Sequence, residues 1–116
     1  MNFTAGLKPR IFFGTETIEA TDGENEVLIR IGDNLTTIVG TNVVVSCRVE
    51  GVPKPSVSWL MNDTIVLRQK IKFDSQQSGD YAKMGVTLSD TGIYTCIAEN
   101  PFGRDSHTSF IRIIGM

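Results

Sequence analysis

Two cysteines and a single histidine are the residues of this 116-residue chain best suited to chemistry. A redox dithiol or a metal centre needs a Cys-x-x-Cys pair or a Cys/His cluster, so that several ligands converge on one point. Cys47 and Cys96 are 49 positions apart and His107 has no cysteine close to it in sequence, so neither pattern exists. A Ser/His/Asp triad needs its nucleophile on a recognisable elbow, and none is found. The sequence therefore names no catalytic, cofactor-binding or metal-binding residue, and the expectation is a non-enzyme, with His107 on the surface of a late strand. The cysteine pair alone stays open. It is compatible with one disulfide and equally with two buried, reduced thiols.

The elements that would position these residues are short strands. Val43, Val45, Cys47 and Val49 alternate with Val44, Ser46 and Arg48, the period-two pattern of a half-buried strand. Pro53 and Pro55 end it, because each fixes φ and removes a ladder donor. Val57, Trp59 and Met61 give a second alternating face, followed by a turn at Asn62-Asp63 and extended structure from Ile65 to Leu67. Ile71 and Phe73 suggest a further strand. Tyr94, Cys96 and Ala98 share one face, and Ile111 and Ile113 share another in the last strand. Many short strands with turn signals between them, and no ten-residue amphipathic helix, predict an antiparallel sandwich. Arg10-Ile11-Phe12-Phe13 is compatible with a strand, but Thr21-Asp22-Gly23-Glu24-Asn25-Glu26 is polar and punctuated, so residues 1–26 read as an N-terminal linker or extension, or the end of a preceding domain, dispensable for folding, leaving 27–116 as one domain.

Bulk properties narrow the function classes. A net charge of -2 leaves no electrostatic footprint for nucleic acid or an anionic membrane surface. Apolar runs such as Val43-Val44-Val45 are too short to insert into a bilayer. No basic start followed by an apolar stretch and a small-residue cleavage site occurs, and the chain reads as a piece excised from a longer protein. Arg68, Lys70 and Lys72 alternate along one strand as a solvated basic face.

Trp59 follows Cys47 by 12 positions, and Leu88-Ser89-Asp90-Thr91-Gly92-Ile93-Tyr94-Thr95-Cys96 precedes and includes the second cysteine. This combination resembles the immunoglobulin superfamily pattern Leu-x-Asp-x-Gly-x-Tyr-x-Cys. Gly51-Val52-Pro53-Lys54-Pro55 and Ala98-Glu99-Asn100-Pro101-Phe102-Gly103 resemble its intermediate, or I-set, class. The resemblance implies an all-β, two-sheet antiparallel Greek-key sandwich in which Cys47 and Cys96 are bridged between sheets. It also implies that Trp59 packs on the bridge, that Tyr94 forms a tyrosine corner, and that Asp90 and Gly92 shape the tight connection before it; Leu88 completes the core signature. Strand E departs from the pattern, with Tyr81 and Lys83 where two aliphatic residues are usual. A lysine there must send its head to water or the strand must shift, and a shift turning Met84 inward is expected.

Asn-x-Ser/Thr sequons at Asn2, Asn34 and Asn62 are candidate N-glycosylation sites. Three is above the one or so that chance gives (roughly, at this Ser/Thr content) and favours secretion. Family resemblance thus implies a recognition or spacer module of an extracellular adhesion, receptor or matrix protein, with another protein, homophilic or heterophilic, as its partner. The alternative is an intracellular module of the muscle or cytoskeletal type, in which Cys47 and Cys96 remain thiols.

Overall fold

A computed structural model describes residues 6–12, 26–62, 64–69 and 78–115. Asn2, Lys70, Ile71, Lys72 and Phe73 lie outside the described residues, as does the side chain of Arg68, so the expected strand and basic face there are not described. The chain runs β1 (Leu7–Phe12), β2 (Glu26–Arg30), β3 (Leu35–Ile38), β4 (Asn42–Val52), β5 (Ser56–Met61), β6 (Thr64–Gln69) and β7 (Ser78–Lys83). A 3-10 turn at Leu88–Asp90 then leads into β8 (Gly92–Asn100) and β9 (Gly103–Ile114). One sheet is built on β4; the other has the order β3-β9-β8-β5-β6.

Alternation decides which way each strand faces. Val43, Val45, Cys47 and Val49 of β4 are each at most 3% exposed, and Val57, Trp59, Tyr94, Cys96, Ala98, Ile111 and Ile113 oppose them from the second sheet. Strands facing each other through apolar rows bury both inner faces at about 25 cal/mol per Å² of apolar area. A Cys47–Cys96 disulfide joins the sheets, with its Cα atoms 6.5 Å apart.

The N-terminal edge is built differently from the antiparallel expectation. Residues 43–46 of β4 pair with β2 in parallel and with β7 antiparallel, so β2 and β7 border opposite edges of β4. Arg48 likewise pairs with Phe12 and with Ser78, which puts β1 on the same edge as β2. β1 runs antiparallel from Val52 to Arg48 and β2 runs parallel from Asn42 to Ser46, so the two meet end to end opposite Cys47. β3 then crosses to the second sheet and pairs in parallel with β9, Leu35 beside Ile111. Leu7–Phe12, inside the segment expected as a linker or extension, is thus part of a sheet, and Ile11 is only 2% exposed.

β7 corrects one expectation. Met84 is 57% exposed, and no shift turns it inward. Tyr81 and Lys83 keep the inward positions opposite Val45 and Val43. Tyr81 packs on the core, and the Lys83 ammonium reaches the rim, 3.8 Å from the Asp90 carboxylate. Four methylenes let a lysine cover apolar surface while its charge stays wet, which makes the register tolerable without a bulge.

Candidate recognition surface

The centre of the sandwich fixes the loops around it. Trp59 is wholly buried and is the cross-strand neighbour of Cys96; its ring lies 5.7 Å from that of Tyr81, which in turn lies 5.8 Å from Tyr94. Tilted rings at such separations add dispersion and quadrupole attraction to their burial. The Tyr94 hydroxyl donates to the Asp90 carbonyl oxygen across 2.5 Å, which is the tyrosine corner. Burial, followed by the nearby Asp90 charge, pushes the Tyr94 phenol well above its usual value, so it stays a neutral donor. Asp90 closes the preceding turn by accepting from the Thr87 backbone N–H at 2.7 Å. Gly92 is buried against Asn62, whose amide atoms lie within 2.6–2.9 Å of where a β-carbon would be, so any larger residue there would displace the Asn62 amide.

Leu88 is the exception among the signature residues. It is 58% exposed, and Val86, two positions earlier, is buried at 2%. The 3-10 turn begins at Leu88 and lifts it out of the core, so its place in the core signature is corrected.

At one pole Asn100 ties three segments together. Its amide nitrogen donates to the Leu7 and Pro53 carbonyls, both at 2.9 Å, while its oxygen accepts from the Phe102 N–H. This holds the start of β1, the β4–β5 loop and the β8–β9 hairpin in one arrangement. The Phe102 ring lies over Gly6, leaving no space for a β-carbon at that glycine. Leu7, Val52 and Phe102 are 57%, 42% and 51% exposed, so this pole presents apolar surface on a fixed backbone. The adjacent strand reinforces it. Asp105 accepts from the Ile11 N–H and Ser109 from the Gly32 N–H, each at 2.9 Å, latching the N-terminal edge to the second sheet. His107, expected on the surface, is half-buried in the same row, 3.8 Å from Asp105.

The outer face of the second sheet carries another apolar feature. Ile93 and Phe110 are directly opposed on β8 and β9 and are 48% and 43% exposed. The Phe110 N–H donates to the Asn34 side-chain oxygen and the Ile93 N–H to the Asn62 side-chain oxygen, both at 2.9 Å. Two of the three sequon asparagines therefore end one row across the sheet: Asn34, Phe110, Ile93, Asn62. Sequence reading found the asparagines but missed Phe110, Ile93, Leu7 and the role of Asn100. An apolar residue at an outward strand position was the available signal for Phe110 and Ile93. Among the described residues, no group of three or more His, Cys, Asp or Glu side chains is placed to hold a metal ion, and no helix is long and apolar enough to cross a membrane.

A two-sheet sandwich pinned by an inter-sheet disulfide, with a buried tryptophan and a tyrosine corner, defines an immunoglobulin-type domain. The chain belongs to the immunoglobulin I-set domain family, which it matches over residues 26–113. It is 42% identical over 69 residues to neuroglian of Drosophila melanogaster, covering 60% of this chain and 5% of that protein. It is 34% identical over 91 residues to muscle M-line assembly protein unc-89 of Caenorhabditis elegans, covering 78% of this chain and 1% of that protein. The chain thus spans a small fraction of the curated relatives it matches. Among solved structures, titin domain M7 superposes with a TM-score of 0.71 over 96% of this chain and 98% of that one, at 18% identity, which establishes the shared fold.

Proposed function

We propose that this domain is a non-catalytic protein–protein recognition or spacer module of a larger extracellular protein, binding another protein through the pole at Leu7, Val52 and Phe102. One observation carries this reading. Asn100 holds three separate segments rigid beneath exposed apolar side chains. Preorganised apolar surface on loops is what protein recognition uses, because little ordering entropy is lost on binding. The bridged cysteines and the sequons at Asn34 and Asn62 support an extracellular setting. A second reading, the intracellular structural module, draws support from the similarity to unc-89, whose name places it in M-line assembly of muscle.

A binding screen of the multimerised domain against purified extracellular proteins tests the proposal. Leu7→Asp/Val52→Asp is expected to abolish the interaction found with the unaltered domain while leaving the melting temperature within a few degrees, as substitutions at exposed positions do, on the order of 0.5 kcal/mol each. Binding that survives the double substitution overturns the assignment to this pole.

A further inference from the structure

We propose that Asn34 and Asn62 both carry N-linked glycans and that these sugars cover the exposed Ile93–Phe110 pair, closing this part of the sheet face to protein partners. The argument begins with the two side-chain oxygens. Asn34 accepts from the Phe110 backbone N–H and Asn62 from the Ile93 backbone N–H, so each amide plane is fixed beside one member of the pair. Asn62 is held further by its own N–H donating to the Ile93 carbonyl at 2.8 Å. Both asparagines, and the sequon threonines Thr36 and Thr64, are exposed. A glycosylated asparagine is a secondary amide, planar and trans like a peptide, so the sugar carbon sits on the same side of the C–N bond as the oxygen. The first sugar at each site is therefore directed toward the residue that its oxygen engages. That places one sugar beside Phe110 and one beside Ile93, from opposite ends of a single row. A pyranose has a face of C–H groups that stacks on an aromatic ring, which suits Phe110 at 43% exposure. A bulky hydrophilic glycan also removes an apolar surface that would otherwise invite association.

For the native chain this inference rests on the extracellular reading, but the attachment chemistry is tested apart from it. The chain is secreted from cultured mammalian cells behind an added leader and mapped by glycopeptide mass spectrometry, alongside Thr36→Ala, Thr64→Ala and the sequon-preserving Thr36→Ser. Melting temperatures are then compared before and after enzymatic removal of the glycans, in the unaltered protein and in Phe110→Ala. The expected result is occupancy at both asparagines and a fall of about 4 °C on deglycosylation that is largely absent in Phe110→Ala. Either asparagine unoccupied in the folded, secreted protein overturns the inference, as does an equal fall with and without the Phe110 ring. A partner protein that binds this face of the fully glycosylated domain, and is lost on Ile93→Asp, overturns it too. None of these outcomes bears on the native compartment, which the cysteine oxidation state decides separately.

Discussion

At the centre of the sandwich Cys47, Trp59 and Cys96 are wholly buried and enclose one another, whereas along the N-terminal edge two strands that meet opposite Cys47 are tied down by single polar groups from the other sheet. In the first region, each residue is fixed by many neighbours at close-packed density. In the second, β1 and β2 depend on their ladders with β4 and on Asp105, Ser109 and Asn100. The contrast shows how a sandwich can admit a break in an edge strand. Residues 13–25 lie between β1 and β2, and the pairing of β4 resumes on the same edge with the direction reversed. A comparable break through β4 or β8 would separate the disulfide and the tryptophan from their partners.

This comparison can be broken at its strong side first. Trp59→Ala empties the centre and is expected to lower stability by about 3–5 kcal/mol, read from chemical denaturation. A denaturation midpoint unchanged within error would remove Trp59 from its assigned place. On the weak side, a chain beginning at Glu26 loses β1 and the burial of Ile11, with an expected loss of about 2–3 kcal/mol and unfolding that remains cooperative. An unchanged midpoint would show that β1 adds nothing and that the segment before Glu26 behaves as a linker. Asn100→Ala removes the tie at the loop pole and is expected to cost about 1 kcal/mol, with faster hydrogen exchange at Phe102, whose N–H it frees. Exchange at that amide no faster than in the unaltered chain would deny Asn100 its role.

The smallest effect concerns Asp80. Burial raises its carboxyl above the ordinary value of 3.8, while hydrogen bonds from the Ser46 side chain and the Cys47 backbone pull it down. A raised value in the folded state means that the native chain keeps this proton to higher pH than the unfolded chain. Its contribution to stability is then present below 3.8 and lost as pH rises through the folded value. Asp80→Asn is therefore expected to stabilise slightly at pH 7, by less than about 0.5 kcal/mol because solvent still screens this partly exposed group, and the gain should vanish in strong acid. A gain that grows as pH falls would reverse the sign of the argument.

The central residues were legible in the sequence because each meets a demand that few side chains satisfy. Cys47, Trp59, Gly92, Tyr94 and Cys96 all occupy the places that the family pattern implies. The edge was not legible, because thirteen residues separate β1 from β2 and no local pattern shows that both will border β4. Met84 and Leu88 were misplaced for one reason. Apolar character alone argues for burial, but the backbone register at Lys83 and the 3-10 turn at Leu88 direct both side chains outward. The sequons at Asn34 and Asn62 could be read as strings, yet their convergence on Phe110 and Ile93 depends on cross-strand register that only the folded chain displays.

The most direct test of the central claim, a disulfide-pinned extracellular recognition domain, is the thiol count of protein taken from its native source. The protein would be denatured without reductant, alkylated and weighed intact. The account predicts no alkylated cysteine, because Cys47 and Cys96 are bridged, together with added glycan mass. Two alkylated cysteines on a chain of unmodified mass would contradict it and assign the domain to the intracellular structural class.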